Sequence, residues 1–177
     1  SSAGLACGYH NPVDLARGML NWAYPDSLHV KSAVWTAQLQ GRLARDDRPV
    51  AAKALLGYGQ AVKELGRLRD VLDVVRNPDD PAVAMVLLGP VLWARFESRA
   101  SSLELTPHVA GPAPADVVVV TEENVIKGLV EGQISPQEAL DLGLIRLYGA
   151  PEAVHRLTAW FSRVHPPIAN GVAKLRD

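Results

Sequence analysis

Cys7 and His10, in Cys7-Gly8-Tyr9-His10, set a thiol and an imidazole three residues apart, a spacing that can chelate a metal ion. Two ligands do not close a coordination shell, so His29, His108, His155 or His165 would have to converge on them from separate segments. An incidental Cys and His explain the pair more simply, and no cofactor is expected. Haem attachment needs C-x-x-C-H, which is absent. The chain also lacks G-x-S-x-G, H-E-x-x-H, a P-loop and G-x-G-x-x-G. Glu122 and Glu123 read as a solvated helix surface favoured by the positive end of the helix dipole. Ser101, Ser102 and Ser135 have turn or capping explanations. No catalytic residue is expected.

That leaves binding. The chain has 177 residues, 48% of them apolar and 21% charged, which is ordinary globular usage. A net charge of −1 argues against nucleic acid as a partner. Cys7 stands alone and cannot form an internal disulfide. No apolar run approaches the roughly 18 to 20 residues that span a bilayer, so no stable membrane insertion is expected. The opening Ser-Ser-Ala-Gly-Leu-Ala-Cys-Gly is small and uncharged, as at the cut end of a protein that is periplasmic or otherwise exported. A cytoplasmic location is the alternative.

The punctuation of the chain predicts its elements. Asn11-Pro12 starts a helix with Leu15, Met19, Trp22 and Ala23 on one face, and Tyr24-Pro25 ends it. Asp26 or Ser27 can cap a second helix carrying Leu28, Val34, Trp35, Leu39 and Leu43, although Leu28–Trp35 also fits a strand. Pro49 opens the clearest helix, striped by Leu55, Tyr58, Val62, Leu65, Leu68, Leu72 and Val75. Asn77-Pro78-Asp79-Asp80-Pro81 breaks the pattern. Ala82–Leu88 and Val91–Phe96 then read as a hairpin across Gly89-Pro90, and Ser102–Val109 as another strand. Asp116–Val120, with four consecutive valines, is a strand buried on both faces. Thr121 can cap the next helix, which Gly132 closes. Ser135-Pro136-Gln137-Glu138 is a capping box for a short helix ended by Gly143. Leu144–Tyr148 is a strand, and Pro151 starts a helix with Val154, Leu157, Phe161 and Val164 on one face until Pro166-Pro167. Trp22, Trp35, Trp93 and Trp160 all have apolar flanks, and core packing is the expectation for the four.

Three segments carry a resemblance to a known family. Ala115-Asp116 precedes a β-rich strand. Gly132, Ile134, Ser135, Pro136 and Ala139 spell G-x-[IL]-S-P-x-x-A. Gly143, Leu144 or Ile145, Leu147 and Gly149 frame a glycine-bounded strand. This order resembles the C-terminal part of sterol carrier protein 2 (SCP2) domains. The resemblance implies a small twisted sheet covered by helices around an apolar tunnel for a lipid-like molecule. Trp93, Val118, Leu129, Leu140, Ile145 and Phe161 are then the expected wall.

The reading is therefore an α+β chain: residues 1–10 a flexible N-terminus, 11–77 a helical region, 82–165 an SCP2-like α+β region, and 166–177 a tail. The expected function is non-catalytic binding or carriage of an apolar small molecule. A first alternative is an interaction or accessory module with a filled core, meeting a protein partner or a second copy through the helical region. A second is a metal or cofactor protein using Cys7 and His10. An exposed apolar patch on the helical region together with a packed core would favour the first alternative.

Overall fold

The computed structural model describes residues 13–45, 47 and 50–164. Cys7, His10 and the proposed boundaries at Asn11-Pro12, Pro49 and Pro166-Pro167 lie outside them. The chain is α+β. Its helices are α1 (Val13–Ala23), α2 (Ser27–Leu39), α3 (Val50–Val74), α4 (Glu123–Val130), α5 (Pro136–Asp141) and α6 (Pro151–Ser162). Its strands are β1 (Val83–Leu87), β2 (Leu92–Ser98), β3 (Leu103–Pro107), β4 (Val117–Thr121) and β5 (Arg146–Tyr148). Leu28–Trp35 is helical, so its strand alternative falls away.

The strands form one sheet in the order β3-β2-β1-β4-β5. β1 pairs antiparallel with β2 and parallel with β4, and the remaining pairs are antiparallel. Central β1 and neighbouring β4 are buried at every position, as runs of Val, Ala, Met and Leu require, with Thr121 the one polar side chain among them. Opposed residues in a register share a face, so Val86, Trp93, Val118 and Tyr148 lie on one side of the sheet. Met85, Phe96, Val119 and Leu147 lie on the other.

Helices cover both sides. α3, α4 and α6 close over the Met85 side, where Leu72, Ile126 and Phe161 meet Met85. Trp160 donates its indole N–H to the Leu72 carbonyl at 3.2 Å, and Arg163 reaches the Val75 carbonyl at 3.0 Å. These bonds clamp α6 to the end of α3. On the opposite side, Tyr24 in the α1–α2 turn rests on Trp93 and Tyr148, with ring centroids 6.0 and 5.0 Å away.

Local capping is partly as expected. The Ser135 hydroxyl accepts from the Glu138 N–H at 3.1 Å, with Pro136 in the first turn. Gly132 and Gly143 end their helices with φ of 70° and 71°, where a Cβ would be strained. Thr121, by contrast, caps nothing: it is the last residue of β4 and donates to the Leu144 carbonyl at 2.9 Å. Glu122 takes the N-cap position of α4 without a side-chain cap, and its carboxylate instead accepts from the Gly89 N–H. It is therefore more than a solvated surface charge. Asp26 occupies the N-cap of α2 without a side-chain cap hydrogen bond, while Ser27 donates to Asn21 at 2.6 Å.

Candidate functional site

Two apolar features are candidates, one inside the molecule and one on its surface. The internal one is the seam between α3, α4, α6 and the Met85 side of the sheet. Leu129, Ile145 and Phe161 of the expected wall meet there with Leu68, Leu72 and Ile126. Leu140 packs against the core from α5 without lining the seam. Trp93 and Val118 are buried across the sheet from it. Five of the six thus divide between two faces, because strand register, which sets the facing, is not a property of single residues.

Side-chain packing has closed this seam. Its volume is about 10 Å³, which is room for a single water at most. A small-molecule pocket has on the order of 300 Å³ or more. Among the described residues the seam is filled, and it holds no lipid-sized space.

The second feature is the outer side of α2. Val30, Val34 and Ala37 face inward and are buried, and α2 lies against β4. On the opposite side Leu28 is 58% exposed, Trp35 63% and Leu39 57%, with Trp22 at the end of α1 reaching 89%. Core packing was expected for all four tryptophans. It holds for Trp93 and Trp160 and is corrected for Trp22 and Trp35. The physical reason is the small inner face: valine and alanine let the helix approach the sheet closely, and an indole there would hold it away.

Polar groups near the Trp93 side of the sheet are mostly structural. Asp116 accepts a bidentate pair of bonds from Arg95 at 2.9 and 3.0 Å, and Glu97 takes a third at 2.9 Å. Hydrogen bonding by Asp116 raises the Arg95 guanidinium further above its usual range, so it stays charged. Burial pushes the Tyr24 hydroxyl up, and burial followed by the Asp26 charge does the same for Tyr148. The Trp93 indole N–H has no hydrogen-bond partner. A surface cleft of about 520 Å³ beside α4 mixes Arg45 and Lys127 with Asp47 and Glu123, so it offers no field of one sign. Among the described residues, no group of three or more His, Cys, Asp or Glu side chains is placed to hold a metal. No helix among them is long and apolar enough to cross a membrane.

No protein-family model and no curated protein matches the chain. Among solved structures, the sterol carrier protein domain 2 of Helicoverpa armigera is similar, at 16% identity and a TM-score of 0.44. That match covers 62% of this chain and 91% of that one. Sterol carrier protein 2 like 2 from Aedes aegypti is similar at 13% identity and a TM-score of 0.40, covering 57% of this chain and 95% of that one. A sec-alkylsulfatase from Pseudomonas sp. matches at 17% identity and a TM-score of 0.39 over 56% of this chain. The present chain spans only 15% of that enzyme's length.

Proposed function

We propose that this chain works by non-catalytic binding of an apolar partner at the outer face of α1 and α2. The observation that carries this reading is that α2 is apolar on two opposite sides, of which the fold covers one. A helix apolar all round is normally buried all round. The two exposed indoles, of Trp22 and Trp35, are also a residue type enriched among interface anchors.

A second reading is carriage of a lipid-like small molecule in the seam. It is supported by the seam's lining of Leu, Ile, Met, Val, Pro and Phe side chains, and it requires α6 to part from α3 so that the space can grow. Under this reading the Trp160 and Arg163 bonds to the end of α3 break when the ligand enters.

Native mass spectrometry of freshly purified protein, compared with the denatured chain, separates the two readings. An added polypeptide mass that disappears in a Trp35→Ser variant supports the surface reading. An increment of a few hundred daltons, lost on denaturation and unaffected by Trp35→Ser, supports the seam. A bare chain that also ignores an excess of added fatty acid overturns both.

A further inference from the structure

We infer that the outer face of α2 pairs with the same face of a second copy of this chain, antiparallel and about a two-fold axis. The inference rests on the surface reading above and names its partner. Leu28, Ser32, Trp35 and Leu39 are all exposed and follow one another at spacings of four, three and four residues. At 3.6 residues per turn they fall within an arc of about 60°. Alternating steps of four and three are the spacing by which one helix seats its side chains between those of another.

The spacings also read the same in either direction, which is what a two-fold contact asks of a single helix. Turning it about the point midway between Ala33 and Val34 sets Leu28 against Leu39 of the second copy, at both ends. It sets Ser32 against Trp35 of the second copy, twice. Each indole then meets the smallest side chain of the stripe, so the two bulky rings fill two recesses instead of colliding.

Charge agrees with this register. Lys31 is the only Asp, Glu, Lys or Arg on α2, and it comes opposite Thr36, so no like charges meet. His29 comes opposite Gln38. A helix with one lysine has little to offer an acidic or basic partner, whereas it fits a copy of itself, whose single lysine also comes opposite a neutral residue. Trp22, exposed at the end of α1, stands near the Leu28 end of the stripe, where the Asn21–Ser27 hydrogen bond holds the two helices together.

Sedimentation equilibrium of the full chain across the micromolar range tests the inference. The expected species is a dimer of twice 19.0 kDa. Trp35→Ser should weaken it by roughly 30-fold or more, as loss of an interface anchor does. Ser32→Trp should abolish it by setting ring against ring, and Ser32→Ala should leave it intact. These side chains are exposed, so circular dichroism should show every variant folded. In a Cys7→Ala background, Leu28→Cys with Leu39→Cys should oxidise to a covalent dimer, and neither cysteine alone should. A monomer at every concentration overturns the inference, as does a Ser32→Trp variant that dimerises like the parent. Efficient cross-linking of Leu28→Cys alone would overturn the antiparallel register. A monomer that carries a different polypeptide lost in Trp35→Ser overturns the pairing while sparing the surface reading.

Discussion

α6 and α2 are nearly the same length and end their inner faces differently. α6 turns its large residues inward: Leu157, Trp160 and Phe161 are buried, and the Trp160 N–H is tied to the Leu72 carbonyl. α2 turns its small residues inward and leaves Leu28, Trp35 and Leu39 outside. Both helices are held, but only α6 is held by its largest side chains. The difference separates apolar surface used to build the fold from apolar surface left over by it.

The sharpest way to break that comparison is to truncate one tryptophan on each helix. Trp160→Ala should cost about 3 to 5 kcal/mol, since it empties a fully buried site and removes a hydrogen bond. Trp35→Ala should change the stability of the isolated chain by less than about 0.5 kcal/mol. Urea unfolding at low protein concentration measures both, and dilution keeps any pairing of copies from adding to the Trp35 value. If Trp35→Ala proved as costly as Trp160→Ala, the outer face of α2 would belong to the core and the surface reading would be lost.

A smaller effect is expected from the polar anchor on the Trp93 side of the sheet. Asp116 is buried, accepts two bonds from Arg95, and also accepts from the Ala113 N–H at 2.9 Å. Asp116→Ala should cost about 2 to 3 kcal/mol, below the cost of a fully buried pair because Arg95 keeps part of its solvent. Arg95→Met should recover part of that loss in the double variant, since a guanidinium that has lost Asp116 and keeps only its bond to Glu97 is then gone. Strict additivity of the two changes would mean that the pair is worth nothing and that this face relies on packing alone.

How much of this was legible in the sequence depends on the kind of information each element carries. Ser135-Pro136 and the glycines at 132 and 143 act within a few residues, so their caps could be read directly. Thr121 could not, because its role is decided by the carbonyl of Leu144, 23 residues away. The wall residues Leu129, Ile145 and Phe161 were legible as apolar positions and do meet at one seam. Assigning Trp93 and Val118 to the same wall needed the pairing of Val86 with Trp93 and of Ala84 with Val118, which places both across the sheet. On α2, the pattern of apolar residues marked a helix but not which of its two apolar sides the sheet would take. Transfer free energy alone favours burying the indole, and the close approach of helix to sheet reverses that preference.

The mildest test bears on how firmly the α1–α2 layer sits on the sheet. Tyr24 packs between Trp93 and Tyr148, and burial raises its hydroxyl above the ordinary tyrosine range. A folded-state value raised above the unfolded one means stability that is fully present below about pH 10 and lost as pH rises through the folded value. Stability should therefore fall more steeply with pH above 10 in the parent than in Tyr24→Phe, with Tyr148→Phe showing the same sense for the same first cause. Other groups titrate in that range, so the informative quantity is the difference in slope between parent and variant in urea titrations at several pH values. A Tyr24→Phe variant with an unchanged slope would mean that the hydroxyl already meets water. The α1–α2 turn would then rest on the sheet loosely, and the inner side of α2 would hold the layer by Val30, Val34 and Ala37 alone.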